Sequence, residues 1–386
     1  MRLMTLIAVS LCCSSVFGQA TFTLLGRLPG GANSAHVNGI SADGQVVVGS
    51  SGSALAFNGE STRWSPDTGL VGLGLIGDMA ENFALGVSPD GNWIVGEASR
   101  DGITDSYIWN ERTGGILLGD LGGADFRSRA FDVSRNGRVV VGSASSPQGL
   151  QAYRWTPNGG MVGLGFLEED DTASTAWAIS ADSTKIVGHS SGEAFLWTEQ
   201  NGMVGLGDIE GGREVSLAYN ISNNGKWIAG EGNAEYADGR RSFEAVLWDE
   251  SGEMTRLGQL GDDGSRYSRA WDVSNDGRVA VGVASWSGDI GEGRGQAMIW
   301  TPEWGMRRLE NVLLDEYGLD VQEMGWRLDS AFGITPDGKY IVGNAFTWIN
   351  DDIHVEGYRL YLPSIPAPTT LAPLAAMGLL GMRRRR

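Results

Sequence analysis

Apolar and polar residues alternate along this chain in short runs that keep returning in one order. A β-branched run closing on Ile/Val-Ser leads into Asp-Gly or Asn-Gly, then into a second β-branched run closing on glycine. Ile40-Ser41-Ala42-Asp43-Gly44 precedes Val46-Val47-Val48-Gly49, and Val133-Ser134-Arg135-Asn136-Gly137 precedes Val139-Val140-Val141-Gly142. The last copy is Ile334-Thr335-Pro336-Asp337-Gly338 with Tyr340-Ile341-Val342-Gly343, and others begin at Val87, Ile179, Ile221 and Val273. Each predicts a β-hairpin, because Asp-Gly and Asn-Gly tolerate the positive φ of a tight turn. Seven hairpins spaced by roughly 42 to 61 residues predict a repeat architecture.

Two more strands complete each repeat. A third ends in tryptophan (Trp64, Trp109, Trp155, Trp197, Trp248, Trp300), with Leu360 in that place in the seventh copy. A fourth ends in Leu-Gly, as in Met161-Val162-Gly163-Leu164-Gly165. Four short antiparallel strands per repeat predict an all-β fold, a seven-bladed β-propeller, in which the tryptophans pack between blades. The alanine four residues before each Ser/Thr (Ala84, Ala130, Ala176, Ala218, Ala270, Ala331, with Val37 in the first copy) suits an innermost strand where only small side chains fit. The seventh repeat stops at Tyr361-Leu362-Pro363 without a fourth strand. Thr21-Phe22-Thr23-Leu24-Leu25-Gly26 has no partner before it, so it is expected to complete that blade and close the ring. The stretch after Trp300 departs from the pattern, running through Leu309-Glu310-Asn311-Val312-Leu313-Leu314 into an extended connection.

The 59 glycines and 14 tryptophans fit short strands and tight turns, with helix nearly absent. Residues 1–20 have a basic start at Arg2, an apolar run and small residues at Gly18 and Ala20, which is the pattern of a secretory signal peptide. Both cysteines, Cys12 and Cys13, fall inside it, so stability is expected to come from packing. Residues 21–363 form one repeat domain. Residues 364–386 are a tail: a proline-rich break, an apolar run of twelve residues and four terminal arginines. That run is short for a bilayer span, so membrane association is expected to be transient and to precede processing, a plain C-terminal hydrophobic tail anchor being the alternative. The formal charge is −18, and without the two processed segments 24 basic residues face 47 acidic ones, near −23. Such a surface repels phosphate backbones and argues against nucleic acid as a partner.

The order Ala-x-x-x-Ser-x-Asp-Gly, Val-Gly, Ala-Phe-x-Trp, Gly-Met-x-x-Leu-Gly resembles the HAF repeat family of bacterial extracellular proteins, most clearly over residues 193–207. The resemblance covers nearly all of residues 21–363 and implies export and a propeller-like fold, without a reaction to carry over. The tail resembles the PEP-CTERM class of sorting signals, with alanine standing between the prolines where those signals usually carry glutamate.

No catalytic constellation is recognisable. The three histidines, His36, His189 and His354, lie in different repeats without metal-ligand spacing, and no Gly-x-Ser-x-Gly elbow or phosphate loop is present. Acidic pairs occur at Asp170-Asp171 (within Glu168-Glu169-Asp170-Asp171), Asp262-Asp263 and Asp351-Asp352. They read as solvated loops or, alternatively, as Ca²⁺ ligands or a catalytic carboxylate pair. Other cofactors are not indicated. The loops between second and third strands vary in length and carry Tyr236, Trp286 and Trp348. Variable loops on a rigid scaffold are where binding sits. That face is therefore the expected interaction surface, whereas the opposite face of near-identical Asp-Gly turns offers little to recognise. The expected function is a non-catalytic secreted or cell-surface binding module for extracellular polysaccharide or a surface protein. A structural matrix component and an extracellular polysaccharide hydrolase or lyase are the alternatives.

Overall fold

The computed structural model describes residues 19–261, 267–285, 295–350 and 352–365. They form five four-stranded antiparallel sheets and one eight-stranded sheet. In the third repeat the order is Ser128–Val133, Val140–Ser146, Gly149–Thr156, Gly160–Gly165, each strand paired with the next. The eight-stranded sheet divides at a single parallel bridge between Ser34 and Val355. On one side lie the first repeat's Gly30–Ile40, Val47–Ser53, Glu60–Ser65 and Gly69–Gly72. On the other lie Arg327–Ile334, Tyr340–Ile349 and Asp352–Tyr361, with Thr21–Leu24 paired antiparallel to the last of these and Phe22 opposite Leu360.

The recurring Ser-x-Asp/Asn-Gly makes physical sense at the turn it builds. Ser134 Oγ accepts from Val139 N at 3.1 Å and donates to Asn136 Oδ1, which in turn accepts from Arg138 N. The same pattern surrounds Ser180 and Asp182. Gly137 closes its turn at φ 66°, and in the fourth copy Ser183 holds φ 68° instead. A side chain there costs roughly 1 kcal/mol, so Ser183→Gly is expected to stabilise by roughly 0.5 kcal/mol after the entropy of a freer unfolded chain is counted. A urea midpoint that stays put or falls would contradict this.

The glycine that follows the β-branched run of each second strand lies inside the strand and answers a different constraint. A Cβ on Gly142 would lie 1.8 Å from the Arg129 carbonyl oxygen and 2.9 Å from the Tyr153 ring, so the first strand and the third strand's aromatic both need its absence. The alanines of the inner strands, Ala84 through Ala331, are fully buried, as their small size predicts. Of the marker tryptophans, Trp248 is fully buried and Trp64 nearly so, while Trp155 and Trp197 pack at the margins of their clusters. The long connection of the sixth repeat holds a helix, Leu309–Tyr317, rather than extended chain alone; Leu309, Val312 and Leu313 face the core and Gly318 caps it at φ 66°.

Each unit packs on the next. Ala178 and Val187 of the fourth repeat join Ala218, Ile228 and Trp248 of the fifth in one apolar cluster. The seventh meets the first through Val342 packed with Val37, Val47 and Trp64, and through Val37 N donating to Asn344 Oδ1 at 2.9 Å and Arg359 Nε donating to the Gly44 carbonyl at 2.7 Å. The Arg359 guanidinium also lies 4.1 Å from the centre of the Tyr340 ring and 5.4 Å from that of Trp64.

Candidate functional site: an aromatic central cavity

In every repeat the pairing of first and second strands slips by one residue directly after the buried alanine, or after Val37 in the first copy. Such a bulge leaves one residue outside the ladder and re-aims it. Those residues are Asn38, Leu85, Phe131, Trp177, Tyr219, Trp271 and Phe332, and all seven line one cavity of about 290 Å³. Five are aromatic and consecutive, with ring centres 4.3 Å apart for Phe131–Trp177, 5.9 Å for Trp177–Tyr219, 4.5 Å for Tyr219–Trp271 and 5.5 Å for Trp271–Phe332. The cavity runs from this collar to the turns, where Ala42, Pro89, Asn223 and Pro336 line it. The turns are laced together there by Ala42 N to the Pro89 carbonyl, Ala181 N to the Asn223 carbonyl and Asn275 N to the Pro336 carbonyl.

Polar groups behind the collar hold its rings. Trp177 Nε1 donates to His189 Nδ1 at 3.0 Å, and burial pushes the His189 pKa down to about 4, so the imidazole stays neutral and able to accept. Tyr219 and Tyr267 donate their hydroxyls to Glu231, whose carboxylate is also gripped by Arg269 through two bonds of 2.9 Å. Glu231 is 1% exposed, and the Arg269 guanidinium stacks 4.7 Å from the Tyr219 centre and 4.6 Å from that of Trp271. A buried, bidentate, ring-stacked pair of this kind fixes orientation more than it adds stability.

Below the collar sit two carboxyls. Asp132 accepts from Val133 N and from Ile179 N of the next repeat, and Asp272 accepts from Val273 N and from Ile334 N of the next repeat. Burial pushes each pKa up to about 7 against the pull of these bonds, and Asp132 raises Asp272 further. Trp271 Nε1 is buried without a hydrogen-bond partner among the described residues.

The residues expected from sequence lie elsewhere. Tyr236 packs locally: its hydroxyl donates to Glu244 at 2.7 Å and Arg240 lies over its ring. Asp171 accepts from Ser190 Oγ and Glu168 N, closing a turn beside exposed Asp170. Trp348 is 58% exposed and meets Phe346 edge-on at 4.8 Å, near exposed Asp352. Trp286, Asp262, Asp263 and Asp351 lie outside the described residues, and among those described no three His, Cys, Asp or Glu converge as metal ligands. The structure does not bring Tyr236, Asp170 and Trp348 into one site. The cavity reaches the Asp-Gly turns, on the face expected to offer little to recognise. Its signal in the sequence is the aromatic residue following the inner-strand alanine in five consecutive repeats.

No protein-family model matches the chain, and no curated protein matches it in sequence. Its fold is similar to that of the β-propeller domain of Cps50 (Swd1) from Myceliophteria thermophila, at 11% identity and a TM-score of 0.51, over 88% of this chain and 99% of that one. It is likewise similar to a chain of the mitotic checkpoint complex, at 14% identity and a TM-score of 0.51, over 94% and 99%. TolB from Acinetobacter baumannii is more distant, at a TM-score of 0.44 and 15% identity over 71% of this chain. The chain spans 62% of the length of that TolB and 32% of that of the tricorn protease it also matches. The two likenesses at a TM-score of 0.51 make the fold that of a β-propeller.

Proposed function

We propose that this chain is a seven-bladed β-propeller, its ring completed by the N-terminal strand, and that it serves as a non-catalytic binding module at the cell surface or outside the cell. The observation that carries this is the cavity at the convergence of all seven repeats, walled by five aromatic rings held from behind by His189 and Glu231. Rings fixed in this way offer large contact area at little entropic cost on binding, which is how ligand sites obtain affinity. Export is part of the proposal: residues 1–20 read as a signal peptide, the repeats resemble HAF repeats, and residues 364–386 resemble a PEP-CTERM tail. Intact-mass measurement of the protein from its native envelope is expected to give a chain starting near Gln19 or Thr21 and lacking Arg383 to Arg386. An unprocessed chain recovered from the cytoplasm would overturn the proposed location.

A structural role in an extracellular matrix is the second reading, favoured by exposed apolar side chains on the loop face. Leu55, Phe57, Ile103, Phe126, Leu150 and Trp348 are each more than 40% exposed and belong to neighbouring repeats. Contiguous apolar patches mark association surfaces. Sedimentation that shows concentration-dependent self-association, abolished in Phe57→Ser with Trp348→Ser, would support it over a monomeric binder.

A further inference from the structure

Once Asp132 and Asp272 ionise, the central cavity holds negative charge without a cation to match it. Among the described residues, Asp132 and Asp272 are the only charged ones lining it, with no lysine or arginine beside them. Five aromatic rings, Phe131, Trp177, Tyr219, Trp271 and Phe332, share its lining with aliphatic and neutral polar residues, and an aromatic ring attracts a cation to its face. The nearest guanidinium, that of Arg269, stacks on Tyr219 and Trp271 but spends its two bonds on Glu231, so it neutralises that carboxylate and not the pair. Each cavity carboxylate accepts two backbone N–H bonds of about four it can take. Nothing else in the lining balances them. An anion is repelled here, and the space of about 290 Å³ exceeds what a bare metal ion fills.

We propose that the cavity binds one small organic cation, an ammonium group bearing methyl or aromatic substituents, enclosed by the collar and neutralised by Asp132 and Asp272. This rests on reading the chain as a binding module and names the ligand class of that same site. Stacked rings beside carboxylates stabilise a desolvated ammonium by both cation–π attraction and charge. The chain's charge of −18 raises the local concentration of cations around the mouth.

The test is calorimetric titration of the full chain with choline and benzyltrimethylammonium, against 3,3-dimethylbutanol, which replaces the choline nitrogen by carbon, and against glucose and envelope oligosaccharides. The expected result is one-to-one binding of the ammonium probes, at least about tenfold tighter than the neutral isostere, a difference of the size cation–π and charge contacts supply. Phe131→Leu, Trp271→Phe and Asp132→Asn are each expected to weaken that binding by about tenfold. Should Asp132→Asn fail to fold, the two ring substitutions carry the test. Equal affinity for choline and 3,3-dimethylbutanol overturns the cationic class and leaves the binding module standing. So does oligosaccharide binding that Trp271→Phe abolishes while ammonium probes do not bind. Absence of binding by every probe overturns both.

Discussion

Deleting residues 21–26 is expected to destabilise the whole domain by several kcal/mol and to produce aggregates, although the segment lies at the edge of the sequence. Thr21–Leu24 supplies the fourth strand of the last unit, pairing along Tyr358 to Tyr361. Phe22 packs 5.8 Å from the Tyr358 ring, and Leu25, 5% exposed, sits in the cluster that joins Val342 of the seventh repeat to Val37, Val47 and Trp64 of the first. Leu25 N donates to the Gly357 carbonyl at 2.9 Å. Removing the strand strips one buried leucine, an aromatic contact and four residues of ladder, and leaves an open edge for intermolecular pairing. In a domain of units stabilised by their neighbours, losing the seam between last and first weakens all of them. Thermal melts with size-exclusion chromatography read the outcome; a truncated chain that melts unchanged and stays monomeric would show that the seam carries no stability.

The second large effect is on pH. Asp132 and Asp272 titrate near 7 in the folded protein because burial disfavours their charge, whereas unfolded aspartates titrate near about 3.9. Between those values the native state holds protons that the unfolded chain releases, so stability falls as pH rises from about 4 through 7. The turn carboxylates work the other way. Burial opposes ionisation of Asp90, Asp182 and Asp337, but hydroxyl and backbone N–H bonds outweigh it and hold their pKa values low, so their contribution fades as pH drops through the folded values. The domain should therefore be most stable in mildly acid solution and lose up to a few kcal/mol by pH 8. In the double variant Asp132→Asn with Asp272→Asn the decline above about pH 5 should flatten, whatever the absolute stability. Urea midpoints across that range check it, and an undiminished slope in the double variant would assign the pH dependence elsewhere.

Much of this architecture is written in local chemistry. The Ser-x-Asp-Gly turns, the tryptophans of the third strands and the unpaired N-terminal strand each follow from a rule that acts over a few residues, so they can be read without the fold. The collar cannot. Strand alternation assigns sides only while the register is regular, and the bulge after each inner alanine reverses the parity that would otherwise place Phe131 or Trp271. Asp132 and Asp272 look like any other acids in a chain with 47 of them; their partners, Ile179 and Ile334, lie 47 and 62 residues away. The helix Leu309–Tyr317 passed for connection because its apolar positions, Leu309, Val312 and Leu313, span little more than one turn. Tyr236 stands out in sequence, yet its hydroxyl and ring are engaged by Glu244 and Arg240, partners that its position in a variable loop does not reveal.

Hydroxyl-radical footprinting of the full chain, with and without saturating benzyltrimethylammonium, asks most directly whether the central cavity is the binding site. Protection of Trp177 and Trp271, with Trp348 labelled equally in both states, is the result predicted. Protection of Trp348 while Trp177 and Trp271 label unchanged would contradict it and return the site to the loop face.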